Sequence, residues 1–122
     1  MNGMEEESNQ LSQRLLSFAV DVVRLVSKLS KTYVGREIGG QLLRSGTSAG
    51  ANYQEACGAQ SRADFIHELQ IVFKELRETL SWLQLVQKAD ICIDDSTVLL
   101  ITETQGLINT IARSLIIAKK NR

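Results

Sequence analysis

Glycine and serine recur inside residues 41–59, although the apolar side chains of this segment keep a helical spacing. The positions that follow one another at intervals of three and four, and so share one helical face, are Leu42, Gly46, Ala49, Tyr53 and Ala56. A glycine inside a helix costs roughly 1 kcal/mol relative to alanine, so Gly46 and Gly50 are expected where another backbone comes close. The segment therefore predicts a helix in tight contact with neighbouring helices.

Helical spacing of apolar residues extends over the rest of the chain, which contains no proline. The seam of the first helix consists of Leu11, Leu15, Phe18, Val22, Leu25 and Leu29. Gly35 is interpreted as the end of this helix, and Ser61 with Asp64 as a capping pair at the start of the third. The predicted helices span about residues 9–33, 37–58, 62–89 and 95–119 of a single domain, 1–122.

The connection between the second and third predicted helices is only a few residues long, which makes these helices antiparallel neighbours. A hydrophobic content of 43% is enough to bury one core in a chain of 122 residues. We therefore predict an all-α, up-down-up-down antiparallel four-helix bundle.

The third helix is apolar on two sides. Its predicted core seam is Phe65, Leu69, Val72, Leu76, Leu80 and Leu83. A second row, well away from that seam, is Ile71, Glu75, Glu78, Trp82 and Leu85. In a lone bundle this row would face water, and exposing Ile71, Trp82 and Leu85 together would promote association. We therefore predict that the row is buried against another subunit of a homo-oligomer.

A polar row on the second helix faces the carboxylates of the third. Antiparallel pairing places Arg44 roughly opposite Glu75 and Glu78, and Asn52 roughly opposite Glu68. Because partly buried charges need partners, we hypothesise that Arg44 is clamped by Glu75 or Glu78 at or near the interface. The predicted structural cluster and interface consists of Arg44, Ser48, Asn52, Glu55, Glu75, Glu78 and Trp82.

Charge gives limited support for a nucleic-acid partner. Fourteen basic residues cancel fourteen acidic ones, so the chain lacks the gross positive charge typical of nucleic-acid-binding proteins. The first helix nevertheless carries a basic stripe, interrupted by Asp21, that could contact an anionic partner. The candidate contacts are Arg14, Arg24, Lys28 and Lys31.

The residues that catalysis and cofactor binding require are scarce. His67 is the sole histidine, which argues against a nucleophilic triad and against a di-iron site within one chain. No phosphate-binding glycine loop is present, and Cys57 and Cys92 lack the spacing of a zinc site or a disulfide framework. We predict no enzymatic activity, cofactor, metal or small-molecule substrate. Without a secretion signal or membrane span, a cytoplasmic location is expected.

Three short motifs resemble a known family. They are LRSGTSAGANYQEA at residues 43–56, SRADFI at 61–66, and KELRET at 74–79 followed by Trp82 and Leu83. The chain resembles the four-helix bundle proteins first noticed in intervening sequences of 23S ribosomal RNA genes. The resemblance implies a bacterial protein that forms a ring-like homopentamer, and it does not imply an enzyme. A similarly built accessory protein of diversity-generating retroelements binds nucleic acid and a reverse transcriptase.

Two classes of function follow. The first is a non-enzymatic homo-oligomeric scaffold or adaptor whose partner is a copy of itself, which charge neutrality and the wide apolar surface favour. The alternative is a nucleic-acid-binding accessory protein, related to ribosomal RNA or to retroelements. For that alternative the basic stripe of the first helix, multiplied around a ring, is the main argument.

Overall fold

The computed structural model describes residues 3–92 and 94–121, which form four helices and, within those ranges, no strand. The helices are α1 (Gly3–Leu29), α2 (Tyr33–Cys57), α3 (Arg62–Lys88) and α4 (Asp95–Lys120). Each helix packs on the next along the chain, while α1 and α4 make the smallest contact of the neighbouring pairs. The all-α prediction is confirmed, and the packing is that of a bundle.

The predicted boundary between α1 and α2 is wrong: α1 ends four residues earlier than predicted, and α2 also begins four residues earlier. Thr32 caps α2, because its side-chain oxygen accepts a hydrogen bond from the backbone N–H of Gly35. Gly35 therefore lies in the first turn of α2 and does not end α1. A Cβ at this position would collide with the carbonyl oxygen of Leu29, so the tight turn requires a glycine there.

The start of α1 also differs from the prediction, since the helix begins at Gly3 and not near residue 9. Glu5 and Glu6 lie in its first turn, where carboxylates complement the positive end of the helix dipole. The starts of the other two helices agree with the sequence. Ser61 caps α3 by accepting from the N–H of Asp64, and Asp94 caps α4 by accepting from Ser96.

The core runs along the inner faces of all four helices. Its fully buried large side chains are Phe18, Leu15, Leu25, Leu42, Leu69, Leu76, Leu83, Leu107, Ile111, Val22, Val72 and Val86. The close approach predicted for α2 is confirmed, and the neighbour is α1. A Cβ at Gly46 would lie 2.8 Å from the Cγ1 atom of Val22. None of the helices, over the described residues, combines the length and apolar content that crossing a bilayer requires.

Candidate interaction surface on α2 and α3

Five polar and aromatic side chains meet on the outer surface between α2 and α3; we call them the α2/α3 cluster. They are Arg44, Ser48, Glu75, Glu78 and Trp82. On α2, Arg44 and Ser48 are one turn apart, and on α3 the spacing of three and four residues brings the other side chains to one face. The antiparallel packing of α2 on α3 then brings the two rows together.

Arg44 contacts both carboxylates that the sequence placed opposite it. Its Nη1 atom lies 3.3 Å from Oε2 of Glu75, and its Nη2 atom donates to Oε2 of Glu78. Glu75 also accepts from the hydroxyl of Ser48 at 3.0 Å, and Glu78 accepts from the indole N–H of Trp82 at 3.1 Å. The Glu75 side chain is only 13% exposed, so these donors offset the cost of removing its charge from water.

A buried polar contact lies beneath this surface. The hydroxyls of Ser45 and Thr79 are fully buried and hydrogen-bond each other at 2.9 Å across the α2–α3 contact. Sequence analysis missed this pairing. Short hydroxyl side chains let the two backbones approach closely while every polar atom keeps a partner. The α2/α3 cluster therefore lies directly above a close, hydrogen-bonded contact between the two helices.

Two residues of the predicted cluster stand apart from it. Asn52 donates its side-chain N–H to the backbone carbonyl of Ser48 at 2.9 Å, so its amide is hydrogen-bonded within α2. Glu55 is exposed, and its side chain makes no hydrogen bond or ion pair with any residue that the structure describes. Glu68, predicted to lie opposite Asn52, is half-buried on α3 and is not hydrogen-bonded to it within the described residues.

The second row of α3 is less exposed than predicted. Trp82 packs against the core of its own chain and Ile71 is half-buried, so the expectation that this row would face water in one chain is wrong for both. The indole N–H of Trp82 donates to Glu78, so the polar atom of the ring keeps a partner while the ring packs against the core. Leu85 is the exposed apolar member of the row.

A more exposed apolar surface lies on α1, and sequence analysis missed it. Leu16, Val20 and Val23 follow one another at intervals of four and three and are all exposed; we call them the α1 stripe. Their spacing is helical, but it is offset from the core seam of α1. That offset is the sequence feature that could have indicated an exposed apolar surface on α1. Other large exposed apolar side chains, besides Leu85, are Tyr33, Val34, Leu43, Val98, Leu99, Ile116 and Ile117.

Most cations of the predicted basic stripe are already paired. Arg14 makes two hydrogen bonds to Glu103 of α4, at 2.9 and 2.8 Å, and Lys28 lies 2.9 Å from Asp94. Arg24 lies 3.8 Å from Asp21 on its own helix, while Lys31 is exposed beyond the end of α1. The stripe is therefore a set of ion pairs more than a free basic surface.

These ion pairs shift the ionisation of their members. The hydrogen bond to Glu103 raises the pKa of Arg14 above its ordinary value. The contact between Lys28 and Asp94 raises the pKa of the lysine and, together with two hydrogen bonds from Ser96, holds the pKa of Asp94 well below its ordinary value. Each shift favours the charged form of the group, so the α1–α4 contacts are electrostatic links at neutral pH.

The ends and the seam of the bundle contain concave spaces. A cavity of about 600 Å³, lined among others by Leu11, Tyr53, Phe65 and Ile117, opens at the end where α1 begins. Burial raises the pKa of Tyr53, so its phenol stays protonated. Within the described residues, no three histidine, cysteine, aspartate or glutamate side chains gather closely enough to hold a metal ion.

Comparisons with known proteins agree on the fold. The sequence model of the 23S rRNA-intervening sequence proteins matches residues 7–113. A crystal structure of a protein of unknown function from the S23 ribosomal protein family of Bacteroides thetaiotaomicron is also similar. It has 35% sequence identity and a TM-score of 0.79, over 86% of this chain and 97% of that one. No curated protein matches the chain.

Proposed function

This chain belongs to the 23S rRNA-intervening sequence protein family, and we propose that it acts as a non-enzymatic scaffold or adaptor built from several copies of itself. The carrying observation is the amount of large apolar side chain that one chain leaves in water. The α1 stripe and Leu99, Ile116 and Ile117 of α4 are all exposed in the single chain. Apolar patches of this kind mark surfaces that associate.

The contacts of the α2/α3 cluster support a structural role over a catalytic one. General acid or base catalysis needs a carboxylate that can exchange a proton with a substrate. Glu75 and Glu78 instead accept hydrogen bonds from Arg44, Ser48 and Trp82. Such a network fixes the geometry of a surface, which suits recognition of another protein surface.

We propose that the copies form a closed ring of five, the number implied by the family resemblance. Light scattering coupled to gel filtration, over a dilution series down to low micromolar concentration, tests whether copies associate at all. The expected result is one folded species several times heavier than the 13.6 kDa chain. A folded species with the mass of one chain throughout the series would reject the proposal.

Nucleic-acid binding is the second candidate, favoured by the ribosomal name of the structural relative. The pairing of Arg14, Arg24 and Lys28 with carboxylates weighs against it, because each cation would have to give up a partner to reach a phosphate. Anisotropy titrations with labelled fragments of ribosomal RNA, at low and moderate salt, separate the two candidates. Affinity that falls steeply with salt would support the second, and no binding at low salt would reject it.

A further inference from the structure

We propose that the α1 stripe of one copy docks on the α2/α3 face of the next copy, so that the two contacting surfaces are different. The α2/α3 face is defined as the α2/α3 cluster together with Glu55, Glu68 and Leu85. The inference rests on the proposed self-association and adds which surfaces meet. Three observations carry it: the shape of the stripe, the charge of each surface and the position of the two surfaces on the bundle.

The α1 stripe has the form of an apolar ridge. Leu16, Val20 and Val23 are exposed along about two turns of helix. The side chain of Val22 packs at Gly46 and that of Val26 at Gly39, so Leu43, which lies between those glycines, is level with Val23. Leu43 is also exposed and widens the ridge onto α2. Such a ridge can fill a groove between two helices of another copy.

The two surfaces carry opposite charge. The α2/α3 face holds the carboxylates of Glu55, Glu68, Glu75 and Glu78 against the single guanidinium of Arg44. The exposed residues that flank the α1 stripe include the cations Arg24, Lys28 and Lys31. Asp21 pairs with Arg24 and Asp94 pairs with Lys28, so Lys31 supplies the positive charge that is not offset within the chain.

Arg24 is the cation best placed to bridge the two surfaces. Its contact with Asp21 is long, at 3.8 Å, and both side chains are well exposed, so Arg24 can reach a second carboxylate at little cost. Opposite charge would therefore orient the ridge on the face.

The α2/α3 face also supplies apolar area to receive the ridge. Leu85 is exposed and Trp82 is half-buried, one turn apart on α3. An aromatic ring that is held in place by a hydrogen bond and surrounded by polar groups is a typical centre for a protein interface. The face thus combines an apolar centre with an acidic rim, and the α1 stripe combines an apolar centre with a basic rim.

The placement of the two surfaces decides the kind of assembly. The ridge lies where α1 packs on α2 and the face lies where α2 packs on α3, so each copy has one ridge and one face to offer. Contacts between unlike surfaces repeat from copy to copy, and they form a ring when the rotation closes. A two-fold dimer would instead pair one surface with itself.

Single substitutions separate the ridge from the rest of the surface. Val23→Glu puts a carboxylate on the ridge that the acidic face would repel, and the mass is expected to fall to that of one chain. Val98→Glu on α4 is the matched control, since Val98 is 49% exposed and Val23 is 45% exposed. The control is expected to keep the wild-type mass. Circular dichroism verifies the fold, and Leu16→Glu replaces Val23→Glu if the latter does not fold.

Mixing two variants tests whether the contacting surfaces are unlike. Leu85→Glu places a carboxylate at the apolar centre of the face, where docking of the apolar ridge would remove it from water without a partner, and this variant alone is also expected to be a single chain. A mixture of Val23→Glu and Leu85→Glu retains one intact ridge and one intact face, and the two altered surfaces carry like charges that repel each other. It is expected to give a complex of two chains and nothing larger.

Each outcome of these measurements decides a separate point. A mixture that stays at one chain overturns the inference, as does a Val23→Glu variant of wild-type mass. Either result leaves the proposed self-association standing if the wild-type protein is still an oligomer. A wild-type protein of single-chain mass overturns the self-association itself, and that is measured without any variant.

Discussion

Arg44 joins α2 to α3 through both of its terminal nitrogen atoms, because Glu75 and Glu78 lie on the same side of α3. The two carboxylates differ in how much they depend on it. Glu78 keeps the Trp82 indole as a donor, whereas Glu75 is the more deeply buried and would keep only the hydroxyl of Ser48. Losing the guanidinium therefore leaves two neighbouring negative charges with too few donors.

Replacing Arg44 with alanine is expected to destabilise the folded chain. Leaving a poorly solvated carboxylate without its charged partner costs about 1–3 kcal/mol, and half of the Arg44 side chain is exposed, so the lower part of that range is expected. Urea unfolding followed by circular dichroism measures the change. Arg113→Ala removes an exposed arginine of α4 and should change stability by less than about 0.5 kcal/mol. Equal stability of both variants would contradict a clamping role for Arg44.

Asp94 both caps α4 and pairs with Lys28, and its lowered pKa gives a pH dependence with a defined sign. A carboxylate whose pKa is lower in the folded state adds stability above its unfolded pKa, about 4, and loses it as the pH falls further. Lys28, whose pKa is raised, limits the same contribution on the alkaline side, above about pH 10.

Asp94→Asn isolates the charge, because asparagine is an equally good helix cap. The variant should melt at a lower temperature than the wild type at neutral pH, and the difference should shrink as the pH falls below about 4. Melting curves across that range, repeated at high salt, measure both effects. A difference that is constant with pH would mean that the cap alone matters and that the ion pair adds nothing.

At the scale of the helices, the tight contact between α1 and α2 depends on a missing side chain. Both methyl groups of Val22 lie within 2.9 Å of the position that a Cβ of Gly46 would take, and valine cannot move them aside without rotating into a poor rotamer. Close packing of the buried faces of α1 and α2 compensates for the low helical propensity of glycine at this point.

Gly46→Ala is expected to lower the free energy of unfolding. Overpacking costs about 1–3 kcal/mol, which is offset by a propensity gain of roughly 1 kcal/mol, so a net loss on the order of 1 kcal/mol is expected. Gly40→Ala is the matched control on the same helix, because nothing lies near a Cβ at Gly40. That variant should gain up to about 1 kcal/mol. A gain of the same size at Gly46 would show that the approach of α1 is not tight.

The helices themselves could be predicted wherever apolar spacing and a cap agreed. Ser61 is a recognisable cap, and the start of α3 followed from it. The α1–α2 junction failed because Gly35 looks like a helix stop, while the actual signal was Thr32, a threonine placed three residues before a free N–H. A glycine that the preceding turn requires, but that lies inside the next helix, has the same sequence pattern as a glycine that ends a helix.

The candidate site was predictable only where two helices are adjacent in sequence. A short loop fixes the register of α2 against α3, and so Arg44 could be placed opposite Glu75 and Glu78. The register of α1 against α4 depends on all the intervening geometry, so the pairing of Arg14 with Glu103 could not be foreseen.

At the scale of the whole molecule, the surface of one chain has two features that favour association with other copies. Large apolar side chains remain exposed on α1 and α4, and the α2/α3 face carries more acidic than basic groups. An assembly of copies would cover apolar area and offset charge at the same contact. The chain as a whole is neutral, with fourteen basic and fourteen acidic residues, so copies would not repel one another strongly.

Native mass spectrometry of the wild-type protein, sprayed from a neutral solution at low micromolar concentration, tests self-association most directly because it counts the chains in each particle. We expect one dominant particle of five chains. Particles that contain one folded chain, at every concentration sampled, would contradict the account.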